Sequence, residues 1–190
     1  MPKPIRRVVT GHDASGRSVF AMDGPAPHVY CRSPGSAVVT ELWETRASPA
    51  DNRGDAEVTD HAFRLAPPKN GSVFRIIEYP PDSQRLAALE QQRASADDGS
   101  GHGTAFDRGS PRHPGFHKTS SVDYAIVLAG EIYALMDEGE VLLKGREALA
   151  VGRIFNDAEY RAVLRRREPE GMIGNLGTAA IVGRRRARLP

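Results

Sequence analysis

Short apolar runs separated by turn residues dominate the first eighty positions. Arg7–Thr10 and Ser18–Ala21 flank Asp13-Ala-Ser-Gly16, the composition of a hairpin turn. Ala37–Glu44 and Ser72–Tyr79 are longer β-prone runs, and the second stops at Pro80-Pro81, which cannot donate to a ladder. Between them, Arg46 to Asn70 reads as Pro- and Asp-rich connection. Asp82-Ser83 supplies the cap of a short predicted helix running to Arg93, with Leu86 and Leu89 on one face. From Ala94 to Arg112 there is almost nothing to bury, the pattern of a flexible loop or lid. The strongest β signal follows. Val122–Leu128, Gly130, Glu131–Met136, the turn Asp137-Glu-Gly139 and Glu140–Leu143 predict an antiparallel meander. Short, regularly spaced strands without a long helix predict an all-β barrel or sandwich. Beyond Gly152, Asp157–Arg167 is helix-compatible, and Gly177–Gly183 is the one remaining apolar strand candidate, small for closing a core.

Length and charge narrow the function classes. The 190 residues suit one domain or a domain with an elaborate lobe. No window approaches the ~20 consecutive apolar residues of a membrane span, so no membrane partner is expected. No apolar run follows the basic MPKPIRR start, which makes a cytoplasmic location the default expectation. A lone cysteine, Cys31, excludes an internal disulfide framework and a cysteine-based zinc site. The net charge of +2 is uneven: residues 1–145 carry −3 and residues 146–190 carry +5, with Arg165–Arg167 and Arg184–Arg186 prominent. These arginines have no aromatic interleaving, which favours a solvated tail over a nucleic-acid site.

One stretch carries candidate chemistry. Along an extended chain, His113, His117, Thr119 and Asp123 share one parity and would point to the same side. Two imidazoles and a carboxylate converging inside a small barrel could hold a divalent ion with positions open to substrate. Glu41 and Trp43 share a strand parity and suggest pocket lining, or core in the case of Trp43. Tyr124, Ile126 and Leu128 read as packing residues, and His102, between glycines, as a bystander.

The segment from His117 to Gly130 resembles the first motif of the cupin superfamily. His117 stands at the first histidine of that motif, Thr119 at the second, Asp123 at the glutamate and Gly130 at the glycine. His117-Lys-Thr-Ser-Ser-Val-Asp-Tyr124 is more similar still to a cupin subgroup reading His-Arg-Thr-x-Thr-Val-Asp-Tyr. Arg6–Phe20, Asp23–Pro27 and Pro67–Gly71 resemble that subgroup's amino-terminal lobe. The second motif is degenerate: Gly145 and Gly152 stand at its glycines, but Phe155 stands where its histidine belongs and has no lone pair for a metal.

The resemblance implies an all-β, cupin-like antiparallel barrel of jelly-roll type, a homodimer, and a pocket for a small-molecule ligand. It divides the chain into a β-rich N-terminal lobe (1–93), a flexible loop (94–112), the barrel motif region (113–156) and an irregular, Arg-rich tail (157–190). It implies descent from metal-dependent oxygenases, isomerases or decarboxylases acting on small aromatic or carboxylated metabolites. His117, Asp123 and His113 would ligate iron, manganese or zinc, weakly or not at all given Phe155, with Asp123 and Thr119 catalytic. The alternatives are a ligand-binding cupin without an ion and, from a different class, a nucleic acid or other anionic partner held by the Arg-rich tail.

Overall fold

The computed structural model describes residues 4–95, 112–113, 116–118, 121–151, 161–165 and 177–185. Among the described residues, twelve strands and one helix follow in chain order. They are β1 (Arg6–His12), β2 (Ser18–Pro25), β3 (His28–Cys31), β4 (Val38–Thr45), β5 (Ser72–Tyr79) and α1 (Asp82–Ser95). Then come β6 (His117–Lys118), β7 (Ser121–Ala129), β8 (Glu131–Leu135), β9 (Glu140–Lys144), β10 (Ala148–Val151), β11 (Arg161–Arg165) and β12 (Gly177–Arg185).

Local chemistry sets the turns. The Asp13 carboxylate accepts from the Ser15 and Arg17 amides and closes the β1–β2 hairpin. Gly130, at φ 71°, makes the break between β7 and β8 in a conformation most side chains avoid. A side chain at Gly71 would lie 2.1 Å from the Thr45 carbonyl oxygen, so only glycine lets β5 start against the end of β4.

Two larger sheets form. One has six strands in the order β10-β7-β12-β5-β4-β3, the other four in the order β6-β11-β8-β9, all pairings antiparallel. The architecture is all-β, two antiparallel sheets sharing one apolar core. Its apolar core joins Val39, Ile77, Tyr79 and Val127 of the larger sheet to Ile132, Ala134 and Leu143 of the smaller. Phe116 and Leu135 bury a second small cluster. Strands β3, β4 and β5 are integral to the larger sheet.

The C-terminal region departs from its sequence reading. The helix-compatible stretch after Asp157 contributes β11, a strand pairing with both β6 and β8. Its ladder bonds are satisfied by two neighbours, which outweighs a weak local preference for helix. The strand candidate Gly177–Gly183 extends to Arg185 as a nine-residue strand inserted between β5 and β7.

Candidate functional site

The alternation along β4 is broken. Its register against β5 shifts between Glu41 and Trp43, so Leu42 is the extra residue of a bulge. Without the shift Glu44 would lie on the face opposite Glu41. With it, Glu41 and Glu44 both turn inward and are buried, while Trp43 turns outward and is 37% exposed. The expectation that Glu41 and Trp43 share a face, and that Trp43 is core, is therefore corrected.

Register carries the polar face across the sheet. Glu41 pairs with Arg75, Arg75 with Ile181, and Ile181 with Ala125. In the next inward row Glu44 pairs with Val73, Val73 with Gly183, and Gly183 with Asp123. Asp123 thus stands on the inner face, beside a position with no side chain. Its charge, with those of Glu41 and Glu44, acts on the Arg75 guanidinium.

Arg75 is the hub. It is 4% exposed, and its Nη2 lies 3.0 Å from Glu41 Oε1. Nη1 donates to the Leu65 carbonyl and Nη2 to the Arg64 carbonyl, so the same guanidinium pins the segment leaving the site. The guanidinium carbon stands 5.4 Å from the centre of the Phe63 ring, which stacks in parallel on Tyr30 at 4.4 Å. Burial pulls the Arg75 pKa down, and the surrounding carboxylates oppose that pull. Burial pushes the Tyr79 hydroxyl pKa up.

His61 completes the cluster. Nδ1 lies 2.9 Å from the Ala62 carbonyl oxygen, an acceptor, so Nδ1 carries the hydrogen there. Nε2 faces Glu44 Oε2 at 2.9 Å and Glu41 Oε2 at 3.7 Å. Arg46 and Arg64 donate to Glu44 from its solvent side, at 2.9–3.0 Å. The loop carrying His61 is tethered from behind. Arg7 donates to Glu57 and to the Leu42 carbonyl, and Glu57 Oε1 accepts from the Thr59 amide and hydroxyl. The Arg7 guanidinium holds the Glu57 carboxyl down at about 2. Beside this tether a cavity of about 280 Å³ is lined by Arg7, Met22, Asp23, Pro25 and Glu57, among others.

The three residues expected to ligate a metal, His113, His117 and Asp123, lie among the described residues. His117 lies in β6 of the smaller sheet, and Asp123 in β7 of the larger. Residues 114–115 and 119–120, which join these positions, lie outside the described residues. His113 is buried with Nε2 3.8 Å from Asp82 Oδ1, at the start of α1. Thr119, Phe155, His102 and nearly all of the expected 94–112 loop lie outside the described residues. Among the described residues, no group of three or more His, Cys, Asp or Glu is arranged to hold a metal ion. Glu41, Glu44 and His61 are no exception, because three guanidinium groups already face the two carboxylates and would oppose a divalent cation. The described residues therefore do not fit a metal centre.

Sequence reasoning missed His61, Arg64 and Arg75. The available signal was weak: an arginine and two glutamates interrupting apolar strand runs. Tyr124, Ile126 and Leu128, expected to pack, instead face outward and are about half exposed.

No family model matches the chain. The sequence is 28% identical over 155 residues to phomopsin biosynthesis cluster protein C' of Diaporthe leptostromiformis, covering 79% of this chain and 67% of that protein. It is 26% identical over 150 residues to the cupin-domain-containing oxidoreductase virC of Hypocrea virens, covering 77% and 62%. The chain thus spans roughly two thirds of the length of these relatives. Among solved structures, the cupin domain of Schizosaccharomyces pombe Cnp3 aligns over 95% of this chain and 87% of that one, at 7% identity and a TM-score of 0.40. The chain is thus similar, at low identity, to a cupin-domain-containing oxidoreductase. No helix among the described residues is long and apolar enough to cross a membrane.

Proposed function

We propose that this chain is a small-molecule pocket protein, descended from metal-dependent cupin enzymes and working here through the charged cluster inside its larger sheet. The observation that carries the reading is the buried Glu41–Arg75 pair on the inner face that also carries Asp123. Charges on an inner sheet face disfavour folding unless they serve a partner, because desolvation offsets most of their mutual attraction. The ligand class is a small aromatic or carboxylated metabolite. Arg46 and Arg64, between Glu44 and solvent, suit a ligand carboxylate, while Glu41, His61 and Asp123 are groups able to accept or pass a proton. Similarity to a cupin-domain oxidoreductase supports the enzymatic form of this reading. The ligand-binding form without catalysis is its alternative.

The test combines two measurements on untagged protein. Calorimetric titration with 4-hydroxybenzoate is expected to show saturable binding that Asp123→Asn weakens. Elemental analysis is expected to show substoichiometric metal. A stoichiometric ion lost on His117→Ala would replace this reading with a metal enzyme using His117, Asp123 and Thr119, and absence of any binding would remove the pocket.

A further inference from the structure

The outer face of the six-stranded sheet is apolar over an unusual breadth. Side chains alternate along each strand, so register fixes which residues share that face. One row runs through Tyr124, Val182, Phe74 and Trp43, and the next through Ile126, Ala180 and Ile76. Neither row contains a charge. On this face Tyr124, Ile126, Leu128, Phe74, Trp43 and Val29 are between 37% and 52% exposed. At these exposures, side chains of roughly 150–250 Å² each leave on the order of 500 Å² of apolar surface open, near the upper end for a monomer. That is over half of the ~800 Å² that one partner contributes to a standard interface.

The charges at the two ends of this band point to its occupant. Two residues beyond Val182, Arg184 takes the position beside Ser72. Two residues beyond Ile76, in the opposite direction, Glu78 stands beside Val38. The apolar rows therefore lie between an arginine position and a glutamate about 20 Å apart along the strands. Such a face is its own complement. A two-fold axis lying between two facing sheets, and perpendicular to their strands, exchanges the ends of each sheet. It sets position 184 of one copy over Glu78 of the other, twice. The same operation lays the aromatic row of each copy on the aliphatic row of the other, so bulky residues meet small ones across sheets ~10 Å apart. We propose that this chain forms a two-fold dimer through the outer face of its six-stranded sheet, with Tyr124, Phe74 and Trp43 as anchors and Glu78 and Arg184 setting the direction. A nucleic acid would meet no cation within the rows and would be repelled by Glu78. The dimer uses the face opposite Glu41 and Arg75, so it stands or falls apart from the pocket.

Sedimentation velocity on the full chain at micromolar concentrations is the test. The wild type should sediment at twice the mass of one chain. Tyr124→Lys puts a charge at an anchor position and should raise the dissociation constant at least about a hundredfold, while its circular dichroism stays that of the wild type. Single aliphatic members of the face should matter less, because a few aromatic anchors carry most of an interface's energy. Glu78→Arg and Arg184→Glu should each weaken the dimer about tenfold, and the two together should return it to within about threefold of the wild type. A wild type that stays monomeric would overturn the dimer, whether that monomer binds phosphatidylcholine vesicles, another protein or nothing. A dimer that survives Tyr124→Lys unchanged would overturn the use of this face. Failure of the double variant to recover, with each single variant folded, would overturn the two-fold placement.

Discussion

The two faces of the six-stranded sheet are inverted relative to the usual rule. Around β4 and β5 the inner face carries Glu41, Glu44 and Arg75. The outer face carries Trp43 and Phe74, joined on β7 by Tyr124, Ile126 and Leu128, all substantially exposed. At the other end of the same inner face, Val39, Ile77 and Val127 pack in an ordinary apolar core. One sheet therefore has an apolar interior that holds the fold and a charged interior that disfavours it locally. Placing charge where hydrophobes would stabilise more is a mark of a site, since buried ion pairs contribute little net stability.

The largest effect should come from unbalancing the charged end. Arg75→Met leaves two buried carboxylates facing each other and should cost about 3–5 kcal/mol in urea denaturation. Adding Glu41→Gln should recover most of that loss, and a cost below about 1 kcal/mol for the single variant would mean the interior charges are hydrated. Next comes the apolar end. Ile132→Ala should cost about 2–5 kcal/mol by deleting a fully buried side chain. A smaller, pH-dependent effect belongs to the tether. The folded Glu57 carboxyl is held at about 2 against an ordinary 4.5. Its contribution is therefore fully present above pH 4.5 and is lost as pH falls toward about 2. Glu57→Gln should flatten that limb of a stability-versus-pH curve, and an unchanged limb would remove Glu57 from the tether. The smallest effect belongs outside: Ile126→Ala should shift stability by less than about 1 kcal/mol. A loss as large as that of Ile132→Ala would show that the outer face is covered.

Much of the fold was legible. Turn chemistry at Asp13–Gly16, the proline stop after Tyr79 and the glycine break at Gly130 each act through neighbours in sequence, so local reading found them. What failed depended on partners far along the chain. No local signal marks the slip at Leu42 that sends Trp43 out and Glu44 in, because a bulge is fixed by the register of β5. Arg161–Arg165 looks helical until β6 and β8 supply its ladder. In the site, Asp123 was found through motif resemblance and its surroundings were not. A charged residue in a strand reads as solvent-facing until the facing strand is known to bring Arg75 opposite Glu41.

The insertion of β12 between β5 and β7 has a consequence for how the protein is made. The ribosome delivers residues 177–185 after the other described strands, yet they occupy a middle position rather than an edge. Until they emerge, the nascent chain carries two open ladders, one on β5 and one on β7, each able to recruit a foreign strand. Completion of the sheet is thus a late, long-range event, the kind that slows folding and invites chaperone attention during translation.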